Sequence, residues 1–130
     1  SHVLPALIRR FHEAKWDGRS EVALWGSGTP KREFLHCDDL ADACLFLMEV
    51  YNDSEIVNVG WGQDCTIREL AELIAEIVGY QGELSWDSSK PDGTPQKLLD
   101  TSKLTRLGWQ PSLPLREGLV RTYRWYADKY

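Results

Sequence analysis

Six cations in this sequence stand beside turns or on a helix face: Arg9, Arg10, Lys31, Arg32, Lys90 and Lys97. They do so in a 130-residue chain that is acidic overall, with a formal net charge of −5. Solvated surface charge accounts for most lysines and arginines in any protein. Arg32 invites a second reading. It follows the turn-forming stretch WGSGTP (25–30) and enters an apolar run, so its base is fixed while its planar fork can grip a phosphate with two N–H groups. Trp25, at the near end of the same turn, would offer a flat face to a base or a sugar. On spacing alone, an anionic-ligand site and plain surface charge both stay open.

Other candidate motifs carry less. GWG (60–62) follows a β-branched run, but the next helix starts too late and a third spaced glycine is missing, so a structural turn is expected rather than a dinucleotide fingerprint. His2, His12 and His36 show no ligand spacing with the cysteines or acids, and no metal site is expected. His36 reads as a packed core residue in a strand. The pair Asp38-Asp39 reads as the cap of a helix starting at Leu40 rather than as a catalytic dyad.

The elements that must hold these residues follow from periodicity. Apolar residues at 4, 7, 8 and 11 predict an amphipathic helix over 3–16, with Pro5 tolerated in its first turn and Arg9, Arg10, His12 and Glu13 on its other faces. Short strands are expected at 21–25 and 33–37, separated by Gly26, Gly28 and Pro30. A helix from Leu40 to about Asn52 would bury Leu40, Cys44, Leu47 and Met48. The run EIVNVG (55–60) predicts a mostly buried strand. Thr66 and Glu69 form a capping box for a helix that ends at Gly79. A strand at 83–86, a loop over 88–97, a short helix over 102–107 and a closing helix over 115–127 complete the chain. Alternating strands and helices point to an α/β class, in one domain spanning 1–130.

Bulk properties exclude several functions. An acidic chain lacks the clustered positive face of a nucleic-acid binder. Apolar runs such as CLFLM (44–48) are far shorter than the roughly 20 residues that span a bilayer. Three cysteines, Cys37, Cys44 and Cys65, form no CxxC pair and no even set, which favours a reducing, cytoplasmic setting. The chain opens at Ser1-His2 without a methionine, as an excerpt of a longer protein would.

The segments SHVLPALIRRFHEAK, VALWGSGTPKREFLHCDDLADACLFLME, NVGWGQDCTIRELAELIAEIVGY and SSKPDGTPQKLLDTSKLTRLGW together resemble the C-terminal half of the GDP-L-fucose synthase family, extended short-chain dehydrogenase/reductases of the NAD-dependent epimerase/dehydratase group. The resemblance implies a Rossmann-type α/β fold, of which this chain is the substrate-binding region. It also implies a two-step activity: epimerisation of a GDP-keto-sugar at two carbons, then reduction of the ketone with NADPH. The family's glycine-rich nucleotide motif, its Ser and Tyr-x-x-x-Lys group and its catalytic cysteine are not in this sequence, so NADP would be bound mainly by an N-terminal half and the isolated chain is expected to be inactive. A homodimer is implied for the full-length enzyme.

By the same resemblance, His2 matches the acid in epimerisation that also lies beside the nicotinamide, a task suited to imidazole. Arg10, Trp25 and Arg32 match residues that hold the GDP-sugar, and Asp92 matches an acid that contacts the nucleotide through ribose or guanine donors. Cys37 stands where the family often has valine and is not the catalytic cysteine. Lys31 and Trp61 also depart from the pattern and are expected at the pocket rim.

Overall fold

The computed structural model describes residues 2–130. Helix α1, Val3–Trp16, runs as its periodicity predicts and buries Leu7, Ile8, Phe11 and Ala14. His12 departs from the expectation of a solvent face. It is buried, and its Nδ1 lies 2.8 Å from the Tyr123 hydroxyl.

Strand β1, Glu21–Trp25, pairs in parallel with β4, Glu83–Asp87, in a register that sets Trp25 opposite Asp87. Alternation along β1 turns Val22 and Leu24 into the core, leaving Glu21, Ala23 and Trp25 outward. Helix α3, Ile67–Val78, packs on α1 and contributes Leu70, Ala71, Ile74 and Val78 to the main core. Its capping box is present in both directions: Glu69 N donates to Thr66 Oγ1 and Thr66 N donates to a Glu69 carboxylate oxygen. Gly79 closes it in the left-handed conformation, φ 81°. The closing helix α5, Leu115–Lys129, lays Leu119 on the same core.

A second, three-stranded sheet corrects the reading of 33–37. The strand is β2, Lys31–Arg32, flanked by β3, Cys65–Thr66, and β5, Gln96–Lys97. Helix α2 begins at Cys37 and ends at Val50, so His36 is not a strand residue but its N-cap, with Nδ1 accepting from Asp38 N at 3.0 Å. Neither Asp38 nor Asp39 is the cap. Asp39 is buried and its carboxylate accepts from Ser112 N, Ser112 Oγ and Leu113 N across the fold.

Two further expectations fail. EIVNVG forms no strand, because none of the described residues offers it a ladder partner. The expected stripe of α2 is mostly outward: Leu40, Cys44 and Met48 are exposed, and Ala43, Phe46 and Leu47 face a small cluster with Leu104 of helix α4, Ser102–Leu107, and with Trp109.

Candidate functional site

The turn after β1 and the loop after β4 meet at one edge of the molecule. Gly26 adopts φ +87°, and its N–H donates to Asp87 O at 2.9 Å. A Cβ at Gly26 would overlap Asp92 Oδ1, so glycine is needed for conformation and for space. Ser27 then binds the Asp92 carboxylate twice, N to Oδ1 at 2.8 Å and Oγ to Oδ2 at 2.7 Å. These bonds hold the Asp92 carboxyl below the usual carboxylate range, the Ser27 hydroxyl acting most strongly.

Two adjoining cavities open beside this junction. One, of about 200 Å³, is lined by Trp25, Arg32 and Asp92, with Gly28, Pro30, Pro91 and Gly93. The next, of about 160 Å³, is lined by Arg10 and Trp86. Val3, Trp25 and Ile67 belong to both, so they form one groove. The structure thus brings Arg10, Trp25, Arg32 and Asp92 to a common surface. His2 lines neither cavity; it is exposed, next to Val3, and its side chain caps no helix N–H.

Each side chain has a distinct posture. Trp25 is 73% exposed and has the Lys90 ammonium 5.2 Å from its ring centroid. Arg32 Nη1 donates to Lys31 O at 2.7 Å, which leaves its other N–H groups free of protein acceptors among the described residues. Arg10 Nη2 donates to Ala23 O at 2.6 Å. Register puts Lys97 opposite Arg32 in the parallel pair, on the same sheet face, although Lys97 lines neither half of the groove. Lys90, Lys97, Ser27 and Arg68 were not assigned to the site from sequence. The loop density of KPDGTPQK was the available signal; the β2–β5 register that brings Lys97 to Arg32 was not.

Other regions fit an anion less well. A mainly apolar cavity of about 230 Å³ is lined by Leu4, Phe34, Leu113, Leu115 and Leu119 and contains no lysine or arginine. A roomier one of about 590 Å³ contains Arg9, which already donates to Glu13 at 2.8 Å. Trp61 lines a separate cavity with Thr101, Trp109 and Pro111, and Lys31 lines neither half of the groove, so neither sits at the rim expected for it.

The GWG turn is filled by the protein's own anion. Glu33 accepts from Gly62 N at 2.9 Å and from Leu99 N at 2.7 Å, and a Cβ at Gly60 would touch its carboxylate. That turn cannot cradle a dinucleotide phosphate. Cys65 is no nucleophile at neutral pH, since burial pushes its thiol up to about 11. His36, Cys37 and Asp38 offer ligand atoms within 4.8 Å of one another, but His36 Nδ1 is committed to the cap of α2.

Residues 1–60 match the NAD dependent epimerase/dehydratase family. GDP-L-fucose synthase 1 of Arabidopsis thaliana is 64% identical over 97% of this chain, which spans 39% of that protein. Two solved structures superpose closely. One is a GDP-mannoheptose C4 reductase from Campylobacter jejuni with NADP bound, with a TM-score of 0.89, 36% identity, and coverage of 98% of this chain and 45% of that one. The other is a GDP-L-fucose synthetase from Naegleria fowleri bound to NADP, with a TM-score of 0.93, 28% identity, and coverage of 100% and 41%. The chain thus spans about two fifths of the length of the proteins it matches, and by sequence and fold it is similar to one part of the GDP-L-fucose synthases and of the NAD dependent epimerase/dehydratase family.

Proposed function

We propose that this chain is the C-terminal, GDP-sugar-holding part of an enzyme that epimerises GDP-4-keto-6-deoxy-D-mannose at two carbons and reduces the ketone with NADPH to give GDP-L-fucose. The observation that carries the reading is the groove: Trp25, Arg32 and Arg10 line one continuous surface, with Lys97 beside Arg32, in a chain whose net charge is negative. A local pair of cations next to an exposed indole suits a nucleoside diphosphate. Arg32 and Lys97 would hold the diphosphate, Trp25 would lie against the base or sugar, and Arg10 would steady the sugar end. The three proteins named above carry GDP in their names and span two sugars, fucose and mannoheptose, which supports a guanine nucleotide at this end of the site.

His2 would act as the acid in epimerisation and lie by the nicotinamide; its exposed, uncommitted ring is free to do so. NADP use belongs to the longer protein. The residues of this chain do not fit a phosphate cradle for it, because Glu33 fills the one glycine-rich turn that follows the β-branched run. The isolated chain should therefore bind GDP without oxidising NADPH, and the complete enzyme would work as a homodimer.

Calorimetric titration of GDP into the chain tests the groove. Arg32→Ala should weaken binding by about 10-fold to 150-fold, the loss expected for a charge-assisted hydrogen bond to phosphate. Arg32→Lys should recover part of it, keeping charge without the two-pronged geometry. Equal dissociation constants for the three proteins would remove Arg32 from the site.

A further inference from the structure

The geometry points to Asp92 as a positioning residue, tying the loop after β4 to the turn after β1 through Ser27 and thereby setting where Trp25 and Arg32 stand. This rests on the groove being the GDP site. Both carboxylate oxygens of Asp92 are already engaged, by Ser27 N at 2.8 Å and Ser27 Oγ at 2.7 Å. Each oxygen thus accepts one bond from the turn, which fixes the orientation of the carboxylate while a second lone pair on each stays open.

The loop it anchors touches both recognition side chains. The Lys90 ammonium lies 5.2 Å from the centroid of Trp25, and a Cβ at Gly93 would stand 3.3 Å from Arg32 Nη2, so a side chain before Asp92 lies against the indole and the backbone after it lies against the guanidinium. The turn is braced from its other side by Arg68, whose Nη2 donates to Ser27 O at 3.0 Å, whose backbone N–H donates to Gly28 O at 3.0 Å, and whose guanidinium lies 4.8 Å from the Trp86 ring centroid. Ser27 is thus the node between a rigid helix start and a loop without regular structure. Releasing Asp92 frees that loop, and with it both contacts to the groove.

Direct contact and positioning give opposite results for Ser27→Ala. If Asp92 acts only by touching the nucleotide, this variant frees Oδ2, leaves the backbone N–H bond to Oδ1 in place, and GDP binding is unchanged or tighter. If Asp92 positions the loop, Asp92→Ala weakens GDP by about tenfold, Ser27→Ala weakens it by less because the backbone N–H still holds Oδ1, and the double variant is no weaker than Asp92→Ala alone. Asp92→Asn should keep most of the affinity, since an amide can accept from Ser27 N–H and donate to its hydroxyl. The ratio of GDP to inosine diphosphate affinity should stay constant throughout, because a displaced Trp25 and Arg32 penalise both alike.

Two-dimensional NMR of the same 130-residue chain gives a readout free of ligand: the Trp25 indole N–H and Arg32 Nε resonances should shift together in Ser27→Ala and Asp92→Ala. Unmoved resonances in Ser27→Ala, or unchanged GDP affinity there beside a loss in Asp92→Ala, would overturn the positioning role. Failure of the unsubstituted chain to bind GDP would instead overturn the GDP-site reading, and the resonances would still decide whether Ser27 and Asp92 hold the loop.

Discussion

Helices α1 and α2 are both 14 residues long, and α2 is the more apolar in sequence, yet they are held by different forces. α1 is held by burial: Leu7, Ile8, Phe11 and Ala14 enter the main core, and Phe11 is 0% exposed. α2 buries only Asp39 and Ala43. Hydrogen bonds pin it instead. His36 caps it, Asp39 collects three donors from residues 112 and 113, and Asp42 accepts from Trp109 Nε1 at 2.9 Å. The comparison teaches that apolar content alone does not tell which helix the core holds. It also separates the groove from the weaker half: Val3 and Arg10 of α1 line it, and no residue of α2 does.

Truncating the buried aromatic of each helix should give the largest difference. Phe11→Ala should cost about 3–5 kcal/mol, the range for a large side chain removed from a closed core. Phe46→Ala on α2, where the ring is only half-buried against Leu104 and Trp109, should cost less than half as much. Denaturant unfolding measures both. Equal losses would mean that α2 is held by packing after all.

Asp39 carries the next effect. Burial pushes its carboxyl up, but the N–H groups of Leu113 and Ser112 and the Ser112 hydroxyl outweigh this and hold it below its ordinary 3.8. A lowered folded-state pKa means that the stabilisation is present above the unfolded value and is lost as pH falls through the folded one. Asp39→Ala should therefore cost about 1–3 kcal/mol at pH 7, since it strands buried donors, and the gap to the unsubstituted chain should narrow below about pH 4. A gap independent of pH would assign the loss to packing rather than to the charged form.

The sequence displayed the first kind of helix and hid the second. Periodicity located α1, the capping box located α3 to the residue, and Gly79 and Gly108 marked helix ends. These signals are local. What stayed illegible depends on partners far along the chain: β2 exists because residues 65–66 and 96–97 come to lie beside Lys31 and Arg32, and Asp39 is freed from capping because Ser112 and Leu113 arrive from 73 and 74 residues away. EIVNVG shows the converse, a strand-like composition without a ladder to join. The groove was half legible for the same reason. Arg32 and Trp25 stood out beside one local turn, whereas Ser27, Arg68 and Lys97 join them only through contacts 41 residues apart or more, or through sheet register.

The smallest effect sharpens the comparison from the outward side of α2. Leu45 and Met48 are 63% and 80% exposed, so neither has much apolar area left to lose to water. Replacing both by lysine should change folding stability by no more than about 0.5 kcal/mol, the range for surface sites away from caps and networks. The same replacement inside α1, at Leu7 and Ile8, would place charges in the core and prevent folding. Because Leu45 and Met48, three positions apart on one face of the helix, form an exposed apolar strip, the double variant should also bind less of a hydrophobic dye and scatter less light as concentration rises. An unchanged dye signal would show that the strip is not what the dye meets. A loss of several kcal/mol would show that the helix buries this face, contrary to the arrangement that leaves its polar pins to hold it.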